Sequence, residues 1–178
     1  LACAPIDVSP ILRDQLFDQV NSIVVTSATL STSRGSGFGY LRGRLGIDEG
    51  GELLLESPFD FQAQAKLYVE TKLGDPNELA HFIPAAQSSI EYYVDKSQGR
   101  CFILFTSYAM LREMAEALAP FAGLHGYELL IQGEDRSASQ LLQHFREHPR
   151  AILLGTSSFW QGVDVSGEKL SNVIITKL

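Results

Sequence analysis

Cysteine is scarce in this sequence, and the two present, Cys3 and Cys101, stand far apart. They form neither a disulfide framework nor a metal-ligand cluster, which points to a reducing, cytoplasmic setting. Long apolar runs are missing as well. None approaches the roughly 18 residues of a membrane span, and no signal peptide is visible, so no membrane partner is expected. There is no internal repeat and no low-complexity tract. Positive charge is in deficit: the net charge is −7. That excludes a generally basic nucleic-acid binder but leaves room for a local groove, because steering depends on where charges sit. Histidine is sparse too (His81, His125, His144 and His148). His144 and His148 stand four apart, but Pro149 ends the helix they would share, so no metal site is expected.

What is there suits a globular α/β domain. The chain has 178 residues, 45% hydrophobic and 20% charged, enough for one domain with a real core and a stub of another. It opens without an initiator methionine and stops within the apolar run "VIITKL", so both ends are expected to be cut. The segments 22–28, 65–71, 100–107, 127–133, 150–157 and 171–177 are short, apolar or β-branched, and are predicted as strands. Helical periodicity runs over 80–98, with Pro84 in its first turns, and over 108–121, where Pro120 is expected to stop the helix. A third helix is predicted over 137–148 with Ser137 as N-cap. Apolar strands alternating with amphipathic helices imply βαβ units: a mostly parallel sheet with helices on both faces.

In such sheets ligands lie outside the carboxyl ends of the strands. Those ends read "FTSY", "IQGEDR", "GTSSFWQGVD" and "TKL". Thr106, Ser107, Thr156, Ser157 and Ser158 offer hydroxyls and backbone N–H groups suited to phosphate oxygens. Phe159 and Trp160 are candidates to stack a base, and Asp164 to accept from a ribose hydroxyl. Gly155 and Gly162 permit close backbone approach. The same residues have plainer uses. Strand-end Ser and Thr serve turns and helix caps, a loop Trp covers core, and Asp164 caps a turn. Arg42 and Arg44 in "YLRGRLG" are expected to face solvent on a short helix, and "GSGFG" to form a flexible loop.

The blocks "VVTSATL", "SPFDF", "FTSY" and "GTSSFWQGVDVSGEKLSNVIITKL", in that order, resemble the C-terminal motor region of DinG-type helicases, relatives of XPD in superfamily 2. The resemblance runs from about Ala4 to the last residue. It implies a second RecA-like, P-loop NTPase-type motor domain over 32–178, truncated before the last motif. Residues 1–31 would be the tail end of the first motor domain or a linker. It implies that Thr26, Ser27, Ala28 and Thr29 match motif III, which couples hydrolysis to DNA. Thr106, Ser107 and Tyr108 match motif IV, near the DNA. Gln132 and Gly133, with Arg136 a further candidate, sit where relatives place a loop beside the DNA backbone. In motif V, Thr156 and Ser157 would face DNA phosphate and Gln161, Gly162 and Asp164 the nucleotide, while Phe159 and Trp160, also DNA-binding candidates, lie between the two and link them.

The implied activity is ATP-dependent translocation on single-stranded DNA, with duplex unwinding in repair or replication, by a cytoplasmic monomer. The implied partners are single-stranded DNA and the first RecA-like domain. ATP and Mg²⁺ are the implied cofactors, but their main ligands are expected outside this segment, since no G-x-x-x-x-G-K-[ST] loop occurs here. A DEAH box and the arginine-bearing Q-x-x-G-R-x-x-R motif are likewise missing, so the segment alone is expected to be inactive. An iron–sulfur cluster, if the full-length protein has one, needs cysteines from elsewhere. Two other readings compete: a non-catalytic RecA-like module binding nucleic acid or protein, and a dinucleotide enzyme. The second lacks any G-x-G-x-x-G after a strand.

Overall fold

The computed structural model describes residues 5–28, 30–31, 37–134, 136–159, 163–165 and 167–177. It divides into two compact units, Leu1–Leu67 and Tyr68–Leu178.

The first unit holds three short helices: α1 (Ser9–Gln15), α2 (Gly39–Leu45) and α3 (Phe61–Gln64). α3 sits in the "SPFDF" block, where the Asp60 carboxylate accepts from the N–H groups of Gln62 and Ala63. Arg42 does not simply face solvent. Its guanidinium pairs with Glu52 at 3.0 Å and donates to the carbonyls of Ile47 and Asp48. Arg13 bridges α1 to the end of α2, donating to the Gly46 carbonyl and pairing with Asp48 at 2.6 Å. Residues beyond 31 therefore pack with those before it, and the division between the compact units falls at 67/68.

Two expected strands do not form. Residues 22–28 and 65–71 carry no ladder, and Val24, Leu67 and Val69 are largely exposed. An extended apolar segment becomes a strand only when a neighbouring strand takes up its N–H and C=O groups. Among the described residues no strand runs beside either segment.

The second unit is the expected parallel α/β domain. Its order is α4 (Leu79–Lys96), β1 (Cys101–Leu104), α5 (Tyr108–His125), β2 (Glu128–Ile131), α6 (Ala138–Glu147), β3 (Ala151–Gly155) and β4 (Asn172–Ile175). The sheet order is β2-β3-β1-β4, every pair parallel. β1 and β3 are central and wholly buried, which is why "CFIL" and "AILLG" are apolar without alternation. Cys101, Ile103, Ile152 and Leu154 face one way, into a core with Ile90 and Val94 of α4 and Leu111, Met114 and Leu118 of α5. Phe102, Leu104, Leu130 and Leu153 face the other way, against Leu141 and Phe145 of α6 and against Phe159. Burial raises the Cys101 thiol well above its ordinary range, so it is inert packing. Burial also raises Tyr127, whose hydroxyl donates to Asp95 at 2.9 Å.

Helix ends follow their capping chemistry. Ser137 forms a capping box with Gln140, as expected of an N-cap. Pro120 does not stop α5, which runs to His125 and ends at Gly126 in the left-handed conformation. The carbonyl that Pro120 leaves without its helical donor belongs to Glu116. Both residues lie on the exposed face of the helix, where that carbonyl is open to solvent.

Candidate functional site

The loops after β1, β2 and β3 meet at the carboxyl edge of the sheet, and one side chain joins them. Gln132 is fixed by its own N–H, which donates to the Leu154 carbonyl at 3.0 Å. Its Nε2 donates to the Tyr108 hydroxyl at 2.9 Å and to the Ser158 hydroxyl at 2.8 Å. Its Oε1 accepts from the Thr156 N–H at 2.6 Å and from the Thr156 hydroxyl at 3.1 Å. The backbone N–H of Thr156 can only donate, so the amide oxygen must face it and the amide nitrogen must face the two hydroxyls. With each such bond contributing about 0.5–1.5 kcal/mol net, Gln132 is the main tie between the three loops.

Around this tie the predicted residues take different places. Thr106 is exposed at the end of β1. Ser107 is the N-cap of α5, its hydroxyl accepting from the Met110 N–H at 3.3 Å. Tyr108 begins α5 and is 44% exposed, so one edge of its ring is open to a ligand. Gly133 turns the chain at φ 96°, a conformation that strains other residues, and lies beneath the Tyr108 ring. Ser157 and Ser158 are exposed on a turn of 3-10 helix. Exposed hydroxyls beside the first turn of α5, whose N–H groups and dipole favour anions, form a surface suited to phosphate.

Two of the residues expected on the DNA side are buried in this structure. Thr156 is 6% exposed and its hydroxyl is taken by Gln132, so it positions the loop and does not meet phosphate. Phe159 is 3% exposed and meets Phe102 edge-on, with centroids 6.5 Å apart. The ring closes the second core. Gly155 is why it fits: a Cβ there would stand 2.7 Å from the Phe159 ring.

Beyond Phe159 the loop alternates. Val163 and Val165 pack on the second core, which turns Asp164 outward. Arg146 of α6 donates to the Asp164 carbonyl at 2.5 Å. No spacing signal links residues 146 and 164, so this anchor escapes sequence reasoning. Ser158, counted among the loop hydroxyls but not assigned to the DNA, also gains a definite partner in Gln132. Trp160, Gln161 and Gly162 lie outside the described residues. At β4 the Thr176 N–H and hydroxyl both bond the Leu104 carbonyl, so that residue serves the sheet. In the first unit, Thr26, Ser27 and Ala28 line a groove of about 740 Å³ with Leu53, Leu54 and Leu55. Thr29 lies outside the described residues. No described helix is long and apolar enough to cross a membrane.

A four-stranded parallel sheet with helices on both faces, its polar loops gathered at the carboxyl edge, is the architecture of a RecA-like motor domain. Residues 90–178 match the Helicase C-terminal domain family. The chain belongs to that family and is a C-terminal region of the DinG type. It is 40% identical over its whole length to the ATP-dependent DNA helicase YoaA of Escherichia coli K12, covering 27% of that protein. It is 31% identical over 98% of its length to the ATP-dependent DNA helicase DinG of Photobacterium profundum, covering 26% of it. To the protein named 3'-5' exonuclease DinG of Bacillus subtilis 168 it is 34% identical over 98% of its length, covering 19%. The chain thus spans about a quarter or less of the relatives it matches.

Proposed function

We propose that this chain is the second motor domain, with the end of the first, of an ATP-dependent helicase that moves along single-stranded DNA and separates duplex in repair or replication. The observation that carries the reading is the Gln132 tie between the loops that resemble motifs IV and V. It joins Tyr108, Thr156 and Ser158 in one hydrogen-bonded cluster, which supports a shared movement of the two loops. The names of the similar proteins support the same reading.

In this mechanism Thr106, Tyr108, Gly133 and Ser157 face the strand, and backbone N–H groups at the start of α5 hold phosphate without reading sequence. Ser107 and Thr156 keep that surface in shape from within. Asp164, with Gln161 and Gly162, faces the nucleotide, and Trp160 lies between the two sides. Thr26, Ser27, Ala28 and Thr29 couple the first motor domain to the DNA. An exposed carboxylate suits a ribose hydroxyl. The Mg²⁺-triphosphate cradle belongs to the rest of the protein, so this segment alone does not turn over ATP. When the cleft between the motor domains closes on ATP, the loop at 156–164 moves with the nucleotide, and through Gln132 the strand surface moves with it. The protein acts as a soluble cytoplasmic monomer.

The test is ATP hydrolysis by the full-length protein, with and without single-stranded DNA, beside an Asp164→Ala variant. Losing one charge-assisted hydrogen bond costs about 1.5–3 kcal/mol. The DNA-stimulated rate should then fall about 10–100-fold. A wild-type protein that hydrolyses nothing under either condition removes the helicase reading and favours a binding module.

A further inference from the structure

At the opposite, amino edge of the sheet, three metal-ligating side chains converge. Glu128 opens β2, His144 lies on α6, and His148 follows as its C-cap. Glu128 Oε1 is 2.7 Å from His144 Nε2, and Glu128 Oε2 is 3.5 Å from His148 Nδ1. The two imidazoles stack with centroids 4.0 Å apart, and one donor atom from each of the three residues lies within 4.8 Å of the others. Pro149 does end the helix, as the sequence suggests, but it leaves His148 folded back on His144. The third donor comes from sixteen residues upstream of His144, which no local spacing reveals.

We propose that Glu128, His144 and His148 form a binding site for a divalent transition ion of the Zn²⁺ class. Two imidazoles and one carboxylate, with a fourth position left to water, form a donor set that Zn²⁺ takes readily. Zinc bonds of about 2.0–2.2 Å in a tetrahedron place neighbouring donors roughly 3.3 Å apart. Glu128 offers one oxygen to each ring, and turning the exposed His148 ring out of its stack on His144 lets both imidazole planes point at one ion beside that carboxylate. The supports are rigid. β2 is hydrogen-bonded to β3, and α6 is anchored by buried Leu141 and Phe145. The site is also accessible, since Glu128 and His148 side chains are 40% and 48% exposed. Arg136 is the competing cation, yet at 3.9 Å it is beyond hydrogen-bond reach of Glu128 and exposed, so a metal displaces it at little cost. A bound ion staples the end of α6 to the start of β2, remote from the loops that Gln132 ties.

The experiment is calorimetric titration of Zn²⁺ into tag-free, chelator-stripped full-length protein, beside Glu128→Gln and His148→Ala variants. Circular dichroism confirms that each variant is folded. The wild type should bind one equivalent more than either variant, and that equivalent should resist excess Mg²⁺, which disfavours nitrogen donors. Zinc should also raise the thermal midpoint of the wild type more than that of the variants. Equal stoichiometry and affinity in all three proteins overturns the site. Loss with His148→Ala but not with Glu128→Gln overturns the three-donor assignment.

Discussion

A Phe159→Ala substitution should destabilise the second unit by about 3–5 kcal/mol, the cost of deleting a buried aromatic ring. Phe159 is 3% exposed, meets Phe102 edge-on, and seats its ring where a Cβ on Gly155 would stand. The described walls of the hole belong to the sheet and to α6. β3 is wholly buried, and Phe102 is already held edge-on by Phe145 at 4.7 Å. The cavity collapses only partly, so the cavity cost adds to the lost transfer energy. Against a typical domain stability of about 5–15 kcal/mol this is a large fraction. Native-state hydrogen exchange in the full-length protein reads it locally: the amides of β1 and β3 should lose protection by that amount. If protection is unchanged and only DNA affinity falls, the ring is stacking bases and the packing account is wrong.

Gln132→Leu should act on coupling more than on the fold. Leucine keeps the volume but leaves the Thr156 N–H and hydroxyl without their acceptor, at about 1–3 kcal/mol. Freed from Tyr108 and Ser158, the loops after β1 and β3 no longer move together. DNA-stimulated ATP hydrolysis by the full-length protein should fall about 5–150-fold, the same free energy expressed as a rate. Hydrolysis without DNA should change much less. The Gln132→Glu variant should keep the loops tied and hydrolysis without DNA near the wild-type level, while its charge beside the phosphate-holding surface weakens DNA affinity. A carboxylate still accepts from Thr156, and the two hydroxyls can turn to donate to it. Equal losses of basal and stimulated rates in both variants would show that Gln132 only supports the fold.

The parallel sheet was legible because each strand advertises its burial: "RCFILF" and "RAILLG" are apolar without alternation, and "SASQ" carries its own capping box. The carboxyl-edge loops followed from the sheet, since strand direction fixes which loops share an edge. Other features were not legible. Strand formation at 22–28 and 65–71 depends on a pairing strand, and no single segment states whether it has one. Pro120 looked like a stop because the rule concerns a lost hydrogen bond, and here that loss falls on the exposed face of the helix. The opposite fates of Ser157 and Phe159, two residues apart, are set by a turn of 3-10 helix that points one to solvent and the other to Phe102. The role of Gln132 as a tie, and the approach of Glu128 to two histidines, arise from contacts across sixteen or more residues.

The central claim is that the carboxyl edge of the sheet is the surface that meets DNA. The most direct measurement is alkylation of single cysteines in the full-length protein, with and without single-stranded DNA, followed by peptide mass spectrometry. The Ser157→Cys variant probes the carboxyl edge. The Leu124→Cys variant, at a residue 83% exposed near the end of α5, probes the amino edge. Native Cys101 stays silent because it is fully buried, and Cys3 is read apart on its own peptide. DNA should slow alkylation at position 157 several-fold and leave position 124 unaffected. Equal rates at position 157 with and without DNA, or protection at 124 instead, would contradict the account.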